Sequence, residues 1–208
     1  MFKRLLLAAV LLTPALAFAQ ATPPAAAKDA KPAAKVEAAP TTAAPKVLLK
    51  TSMGDITIEL AADKAPKSTA NFLAYVNSGF YDGTVFHRVI DNFMVQGGGF
   101  TKELQQKPTR ASIVNESKNG LSNVRGSVAM ARTADPNSAT AQFFVNVVDN
   151  PQLDYASDAQ PGYCVFGKVV AGLDVIDKIK AVKTGPQNQF RSDVPTTPVV
   201  IEKASVLP

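Results

Sequence analysis

The chain has 208 residues, 46% of them hydrophobic and 19% charged, a balance typical of one globular domain with extensions. Its formal net charge is +5, but residues 47–208 contain 16 basic and 15 acidic residues. Because the basic excess precedes the domain, we expect no nucleic-acid partner. A single cysteine, Cys164, excludes an intrachain disulfide, and its apolar neighbours predict a buried, unreactive thiol.

The segment 1–19 has the features of a signal peptide. It begins with the basic residues Lys3 and Arg4, followed by an apolar run too short to span a bilayer. It ends in Ala-Phe-Ala, which fits a cleavage site with small residues. We therefore expect export, removal of residues 1–19 and no stable membrane insertion afterwards. The alternative is an uncleaved membrane anchor.

Residues 20–46 consist almost entirely of Ala, Pro, Lys and Thr. This stretch has no aromatic residue and no apolar periodicity, so it cannot bury enough surface to fold. We expect a disordered linker over residues 20–46 and a folded domain over residues 47–208. The linker is either a tether or a passive tail left after cleavage, and we favour the passive tail.

Short apolar segments separated by Gly, Asn and Asp clusters predict a domain of many strands. The predicted strands cover residues 47–51, 56–60, 84–90, 93–96, 127–131, 143–148, 163–169 and 199–206. A helix is predicted to begin at Pro66 and end before Gly79, and a second one to run from Leu173 to about Val182. This arrangement indicates a mainly β fold, either an antiparallel barrel or a sandwich, capped by two helices.

Common catalytic constellations are poorly represented in this sequence. A hydrolase would have to use the single histidine, His87, which lies in an apolar strand and is better interpreted as a structural, hydrogen-bonded residue. One histidine and one distant cysteine do not make a metal site, so we expect no metal and no cofactor. The triplet Gly97-Gly98-Gly99 is not followed by the Lys-Ser/Thr pair of a phosphate loop.

Three polar side chains interrupt the apolar strands, namely Arg88, Gln96 and Gln142. A buried arginine is unfavourable unless it has a partner, so a uniform barrel core does not explain these residues. Polar side chains that recur among aromatic residues are typical of a pocket rim. We expect the three to meet at a binding site.

Four segments resemble the signature motifs of the cyclophilin-type peptidyl-prolyl isomerases, in the order and spacing of that family. They are Phe86–Gly98, Arg125–Ala131, Ala141–Phe144 and Val165–Val169. With the signal sequence, the chain most resembles the periplasmic cyclophilins of Gram-negative bacteria. The resemblance implies a closed eight-stranded antiparallel β-barrel with a helix at each end, and a periplasmic location.

The resemblance also implies roles for individual residues. Arg88 falls on the catalytic arginine of the family. The apolar pocket that receives the proline ring corresponds to Phe93, Met94, Phe144 and Leu153.

Five further positions are implied to contact the substrate. Gln96 and Gln142 fall on polar residues that contact its backbone, and Ala131 with Arg132 falls on a strand edge that pairs with an extended peptide. Tyr163 replaces a histidine found in many members, and keeps a ring with a polar tip. Arg132 replaces an asparagine that is common in other members.

The function implied is cis/trans isomerisation of X-Pro bonds in exported proteins as they fold, by a monomer whose partners are proline-containing segments. Two alternatives follow from the residues. One is a non-catalytic proline-binding module or chaperone of the same fold, and the other is an unrelated hydrolase that uses His87.

Overall fold

The computed structural model describes residues 44–208, so the predicted signal peptide and nearly all of the predicted linker lie outside the described residues. The described part contains ten strands and two α-helices. The strands are β1 (Lys46–Thr51), β2 (Gly54–Leu60), β3 (Thr84–Ile90), β4 (Met94–Thr101), β5 (Ser127–Met130), β6 (Phe143–Asn146), β7 (Val165–Ala171), β8 (Thr184–Gln187), β9 (Phe190–Pro195) and β10 (Val200–Leu207). The helices are α1 (Pro66–Asn77) and α2 (Leu173–Lys180). Lys46, placed at the end of the linker by sequence, is already the first residue of β1.

Eight of the strands close into a barrel in the order β1-β10-β3-β4-β6-β5-β7-β2. Every neighbouring pair is antiparallel. All eight predicted strands are confirmed, with ends that shift by at most five residues, and the barrel rather than the sandwich is correct. Closure leaves no exposed strand edge in the barrel, since each strand has two neighbours.

Both predicted helices form and contribute to the core of the barrel. Phe72 and Tyr75 of α1 join the main hydrophobic cluster, as do Ile176 and Ile179 of α2. Helix α1 begins at Pro66, where the missing N–H is not needed, and its end is followed by Gly79 with a φ of 65°. No helix within residues 44–208 is long and apolar enough to cross a membrane.

The hairpin formed by β8 and β9 was not predicted from the sequence. Its strands, Thr-Gly-Pro-Gln and Phe-Arg-Ser-Asp-Val-Pro, do not alternate between polar and apolar residues. The hairpin is held instead by Phe190 and Val194, which pack with Phe100 and Leu104 in a separate hydrophobic cluster. The residues that make such contacts are distant in sequence, so the contacts leave no periodic pattern.

The glycine triplet lies inside β4, which continues to Thr101 and so extends beyond its predicted end. Gly98 has a φ of 79°, and a Cβ there would lie 2.8 Å from both the Phe143 and the Tyr81 rings. Glycine is therefore required by backbone conformation and by close ring packing. The glycine triplet therefore has a structural role in the barrel wall.

His87 is buried, as predicted, with 3% of its surface exposed. Its ring lies 4.5 Å from the Phe100 ring and 5.7 Å from the Phe190 ring, measured between centroids. The predicted hydrogen bond is absent at Nδ1, which has no partner among residues 44–208. Burial, with the charge of Arg88 as a smaller contribution, lowers the pKa of His87 to about 4. A neutral imidazole packed against two aromatic rings has a structural role in the core. It is not suited to be the catalytic histidine of a hydrolase.

The lowered pKa of His87 predicts a pH-dependent stability. The unfolded chain binds a proton below about pH 6.5 and the folded one only near pH 4, so stability falls as the pH drops through this range. Between pH 7.5 and pH 5, the wild type should lose about 2 kcal/mol more than the variant His87→Leu. Urea unfolding of both proteins at the two pH values measures the difference. Parallel losses in the two proteins would contradict the assignment.

Candidate active site

Side-chain alternation along the barrel strands creates an apolar cluster on the outer face. Val95 in β4 and Phe143 and Val145 in β6 belong to the main core. Their neighbours Met94 and Phe144 point the other way, because successive strand residues face opposite sides. The two pack with Ala129 and Val165 in a separate cluster, hereafter the outer cluster.

A cavity of about 260 Å³ opens over the outer cluster. Nine of the ten predicted site residues line it, and they come from five separate parts of the chain. They are Arg88, Phe93, Met94, Gln96, Ala131, Arg132, Phe144, Leu153 and Tyr163. The tenth, Gln142, is joined to this wall by a hydrogen bond.

The polar side of the cavity is a row of three side chains. Gln96 Nε2 donates to Gln142 Oε1 at 2.9 Å, and Arg88 Nη1 lies 3.4 Å from Gln96 Oε1. Gln142 thus orients the Gln96 amide so that its oxygen faces the guanidinium. A Cβ at Gly99 would lie 2.5 Å from Gln142 Cγ, so the glycine makes room for this side chain. The row leaves Arg88 half-buried and without a carboxylate partner in the described chain.

The apolar side of the cavity is rigidly packed. Met94 and Phe144 are 2% and 4% exposed, and Phe93 and Leu153 pack against the cluster they form. The Tyr163 ring meets the Phe144 ring edge to face, with centroids 5.7 Å apart. Such a surface is already ordered before a ligand arrives, so little entropy is lost when an apolar ring binds.

The predicted strand edge lies one residue further along than Ala131 itself. The Ala131 N–H already donates to the Gln142 carbonyl at 3.0 Å. The Arg132 N–H makes no hydrogen bond within residues 44–208. The backbone donor open to an extended peptide is therefore that of Arg132.

A larger cavity of about 460 Å³ lies elsewhere, between β2, β7 and the segment around Leu121. None of the predicted site residues lines it. The smaller cavity is the better candidate because a cation, two amides and an apolar slot converge there. No group of three His, Cys, Asp or Glu side chains in the described part of the chain is placed to hold a metal ion.

Cys164 lies beside the site but is chemically inert. Its side chain is buried, and burial raises the pKa of its thiol to about 11. Ser68 Oγ is 3.4 Å from its sulfur. A thiol that stays protonated at neutral pH is a poor nucleophile, which agrees with the prediction from sequence.

Comparison with known proteins matches residues 46–206 to the family model of the cyclophilin type peptidyl-prolyl cis-trans isomerases. The chain is a member of this family. It is therefore an isomerase that acts on proline-containing peptides. The match covers nearly the same residues as the domain predicted over 47–208.

The cyclophilin is similar over most of its length to two bacterial relatives and to one solved structure. It is 58% identical over 163 residues to peptidyl-prolyl cis-trans isomerase cyp18 of Streptomyces antibioticus, covering 77% of this chain and 98% of the relative. It is 52% identical over 162 residues to peptidyl-prolyl cis-trans isomerase B of Escherichia coli, again covering 77% and 98%. A solved structure of a Cryptosporidium parvum cyclophilin matches with a TM-score of 0.63 and 26% identity, over 78% of this chain and 99% of that one.

Sequence reasoning missed a buried network of amide side chains behind the cavity. Asn146, fully buried at the end of β6, donates to Asn123 Oδ1 at 3.2 Å and to Ser127 Oγ at 2.9 Å. Its own oxygen accepts from Asn150 Nδ2 at 2.7 Å. The only signal in the sequence is one polar residue within the apolar run Phe-Phe-Val-Asn-Val-Val.

The network holds the backbone of three residues that line the cavity. Asn150 Nδ2 donates to the Phe93 carbonyl at 2.9 Å. Asn123 Nδ2 donates to the Leu153 carbonyl at 3.1 Å and to the Tyr163 carbonyl at 3.3 Å. These three residues lie on separate segments of the chain, Leu153 at the end of the short 3-10 helix Pro151–Leu153, so the asparagines join separate parts of the cavity wall.

Replacement of the central asparagine should therefore weaken substrate binding. We expect Asn146→Leu to leave buried partners unsatisfied, to destabilise the fold by about 2 kcal/mol, and to raise the Kd for proline peptides several-fold. The rate constant of bound peptide should change less, because Arg88 lies outside the network. NMR titration and exchange spectroscopy measure the two quantities.

The matched control is Thr84→Val. It removes a fully buried hydroxyl, which donates to the Tyr81 carbonyl at 2.6 Å, and Thr84 is not among the residues that line the cavity. The control should lose stability and keep its Kd. Equal changes in Kd for both variants would reject a positioning role for Asn146.

Proposed function

We propose that Arg88 is the catalytic residue and that the outer-face cavity is where the X-Pro bond rotates. The observation that carries this proposal is a half-buried guanidinium on the wall of an apolar slot, with no carboxylate partner among residues 44–208. Gln96 faces it from one side, and Phe93 and Phe144 lie across the cavity. A charged donor beside an apolar slot suits the chemistry of proline isomerisation.

Rotation about an X-Pro bond breaks amide resonance without breaking a covalent bond. The barrier is roughly 18–20 kcal/mol, and uncatalysed exchange takes tens to hundreds of seconds. As the bond twists, the prolyl nitrogen becomes pyramidal and gains an available lone pair. Arg88 supplies rigid donors that stay charged, and a hydrogen bond from it to this nitrogen or to a neighbouring carbonyl stabilises the twisted amide.

The apolar slot holds the proline ring while the other side of the bond turns. Met94 and Phe144 form its floor, with Phe93 and Leu153 at its sides. Their packing excludes water from the ring, and a site with little water strengthens the contact that Arg88 makes. The C. parvum relative was crystallised in the presence of the dipeptide Ala-Pro, which supports a proline residue as the minimal ligand of this slot.

Gln96, Gln142 and the Arg132 backbone hold the substrate chain on either side of the proline. The Gln96 amide is oriented by Gln142 and is open to the cavity. The Arg132 N–H, which has no hydrogen-bond partner in the described part of the chain, supplies one more donor at the edge of the cavity. An extended peptide that pairs there has one side fixed, which is a requirement for rotation of the other.

Replacement of Arg88 tests this mechanism. Arg88→Ala should lower kcat by about 10²–10³, the loss of one preorganised electrostatic donor, roughly 3–4 kcal/mol. Affinity for the proline peptide should fall less. NMR exchange spectroscopy on a short Ala-Pro peptide measures both.

Two further variants sharpen the test. Arg88→Lys keeps the charge but loses the planar fork, so it should recover only part of the rate. Arg110→Gln is the control, since it removes an arginine that lies over the Tyr75 ring and does not line the cavity. Near-normal turnover in Arg88→Ala would reject the assigned role.

In the cell, we propose a periplasmic enzyme that assists the folding of exported proteins. Support comes from the sequence of residues 1–19, which lie outside the described residues, and from the slow rate of uncatalysed proline isomerisation. The near-neutral charge of residues 47–208 supports clients that are protein segments rather than nucleic acid. We propose that the mature enzyme is a monomer without a stable membrane insertion.

Expression of the full chain in a Gram-negative host tests the location. The mature protein should appear in the periplasmic fraction with Gln20 as its first residue, as measured by intact-mass spectrometry. A chain without residues 2–19 should stay in the cytoplasm and keep its isomerase activity. An exported or membrane-bound protein that still contains residues 1–19 would overturn the proposal.

A further inference from the structure

Two positive charges line the cavity, and no negative charge does. Arg88 and Arg132 are the charged residues of its wall, and the remaining lining residues are uncharged. Within the described chain, neither guanidinium has a carboxylate within 4.0 Å. The mechanism above uses one of the two charges and leaves the Arg132 side chain without a role.

The Arg132 side chain is held in one position by three contacts. Nε donates to the Gly162 carbonyl at 3.0 Å, and Nη1 donates to the Thr133 carbonyl at 2.8 Å. The guanidinium also lies over the Tyr163 ring, 4.5 Å from its centroid. All three contacts are with uncharged groups, so they fix the cation without neutralising it. Nη2 has no hydrogen-bond partner in the chain from residue 44 onward.

Two acidic residues lie close in sequence to residues of the cavity wall, Asp135 after Arg132 and Asp154 next to Leu153. Asp135 Oδ1 accepts from the Asn137 N–H at 2.8 Å. Asp154 Oδ1 accepts from Asn123 twice, at 2.6 Å from the backbone N–H and at 2.9 Å from Nδ2. Within residues 44–208, neither of these carboxylates pairs with Arg132.

We propose that the cavity selects proline segments with an Asp or Glu close to the proline, and that Arg132 is the specificity-determining residue. The proposal rests on the proposed seating of the proline ring against Met94 and Phe144. A carboxylate placed at the Arg132 guanidinium gains charge-assisted hydrogen bonds from a cation that is already fixed. Arg88 adds to the positive potential inside the partly enclosed site.

The preference should depend on position and not on overall charge. Residues 47–208 are close to neutral, so the domain as a whole attracts an acidic peptide weakly. The ring must lie in its slot while the acidic side chain reaches Arg132. One sequence position relative to the proline satisfies both conditions, and acidic residues elsewhere in the peptide should have little effect.

The experiment uses short peptides with one proline and with Glu, Gln or Lys at each of the two positions before and after it. NMR titration and exchange spectroscopy at physiological ionic strength give Kd and kcat/KM for each peptide. We expect Glu at one position to bind about tenfold more tightly than Gln, with Lys weaker than both. No difference between Glu and Gln at any position would overturn the proposal.

Variants identify the residue responsible through the ratio of Glu-peptide to Gln-peptide affinity, which is independent of general losses in activity. Arg132→Gln should bring the ratio close to one, and Arg132→Lys should keep part of it. Arg110→Gln, outside the cavity, should leave it unchanged. A preference that survives in Arg132→Gln would overturn the assignment.

Failure of this proposal is distinguishable from failure of the proposed mechanism. If Arg88→Ala abolishes turnover of all peptides while the Glu/Gln ratio of the wild type is one, the mechanism stands and the specificity is rejected. If Arg88→Ala turns over peptides normally, the assignment of the cavity itself fails.

Discussion

The structure depends on one constraint, the alternation of side chains along the strands of a closed barrel. In a closed sheet each strand has an inner and an outer face. The pairing register of the strands therefore decides which side chains fill the interior and which lie outside. Here Val95, Phe143 and Val145 fill the interior, while Met94 and Phe144 are sent to the outer face. A shift by one residue would exchange the two sets. The core and the candidate site are thus built from the same strands, and neither exists without the other.

The outer site also depends on support that its lining residues do not provide. Phe93 and Tyr163 lie on loops, which are the most mobile parts of most domains, and Leu153 lies in the short 3-10 helix Pro151–Leu153. Buried asparagines bind the carbonyls of all three and are themselves joined through Asn146. In a medium of low dielectric constant, such amide networks are rigid when fully satisfied. The cavity therefore keeps its width without a ligand, a condition that catalysis by preorganised groups requires.

Charge is distributed unevenly in this cyclophilin. Five lysines and Arg125 pair with carboxylates in the described chain, as in the contact of Arg125 with Asp177 at 2.7 Å. The two guanidinium groups of the cavity have no such partner in the described residues, and uncharged groups orient them instead: amides for Arg88, carbonyls and a tyrosine ring for Arg132. An arginine without a counterion is available to a substrate, since no internal ion pair must be broken first.

By itself, the sequence determined the eight barrel strands, both helices and nine residues of the cavity wall, because alternation and ordered motifs are local in the chain. It also indicated an inert Cys164 and a buried His87. Only the tertiary structure decided the β8–β9 hairpin, the amide network and the stacking of Arg132 on Tyr163. These features join residues distant along the chain, and most of them depend on single hydrogen bonds or ring contacts. Such contacts leave no periodic pattern in the sequence, so they are identified only in the folded structure.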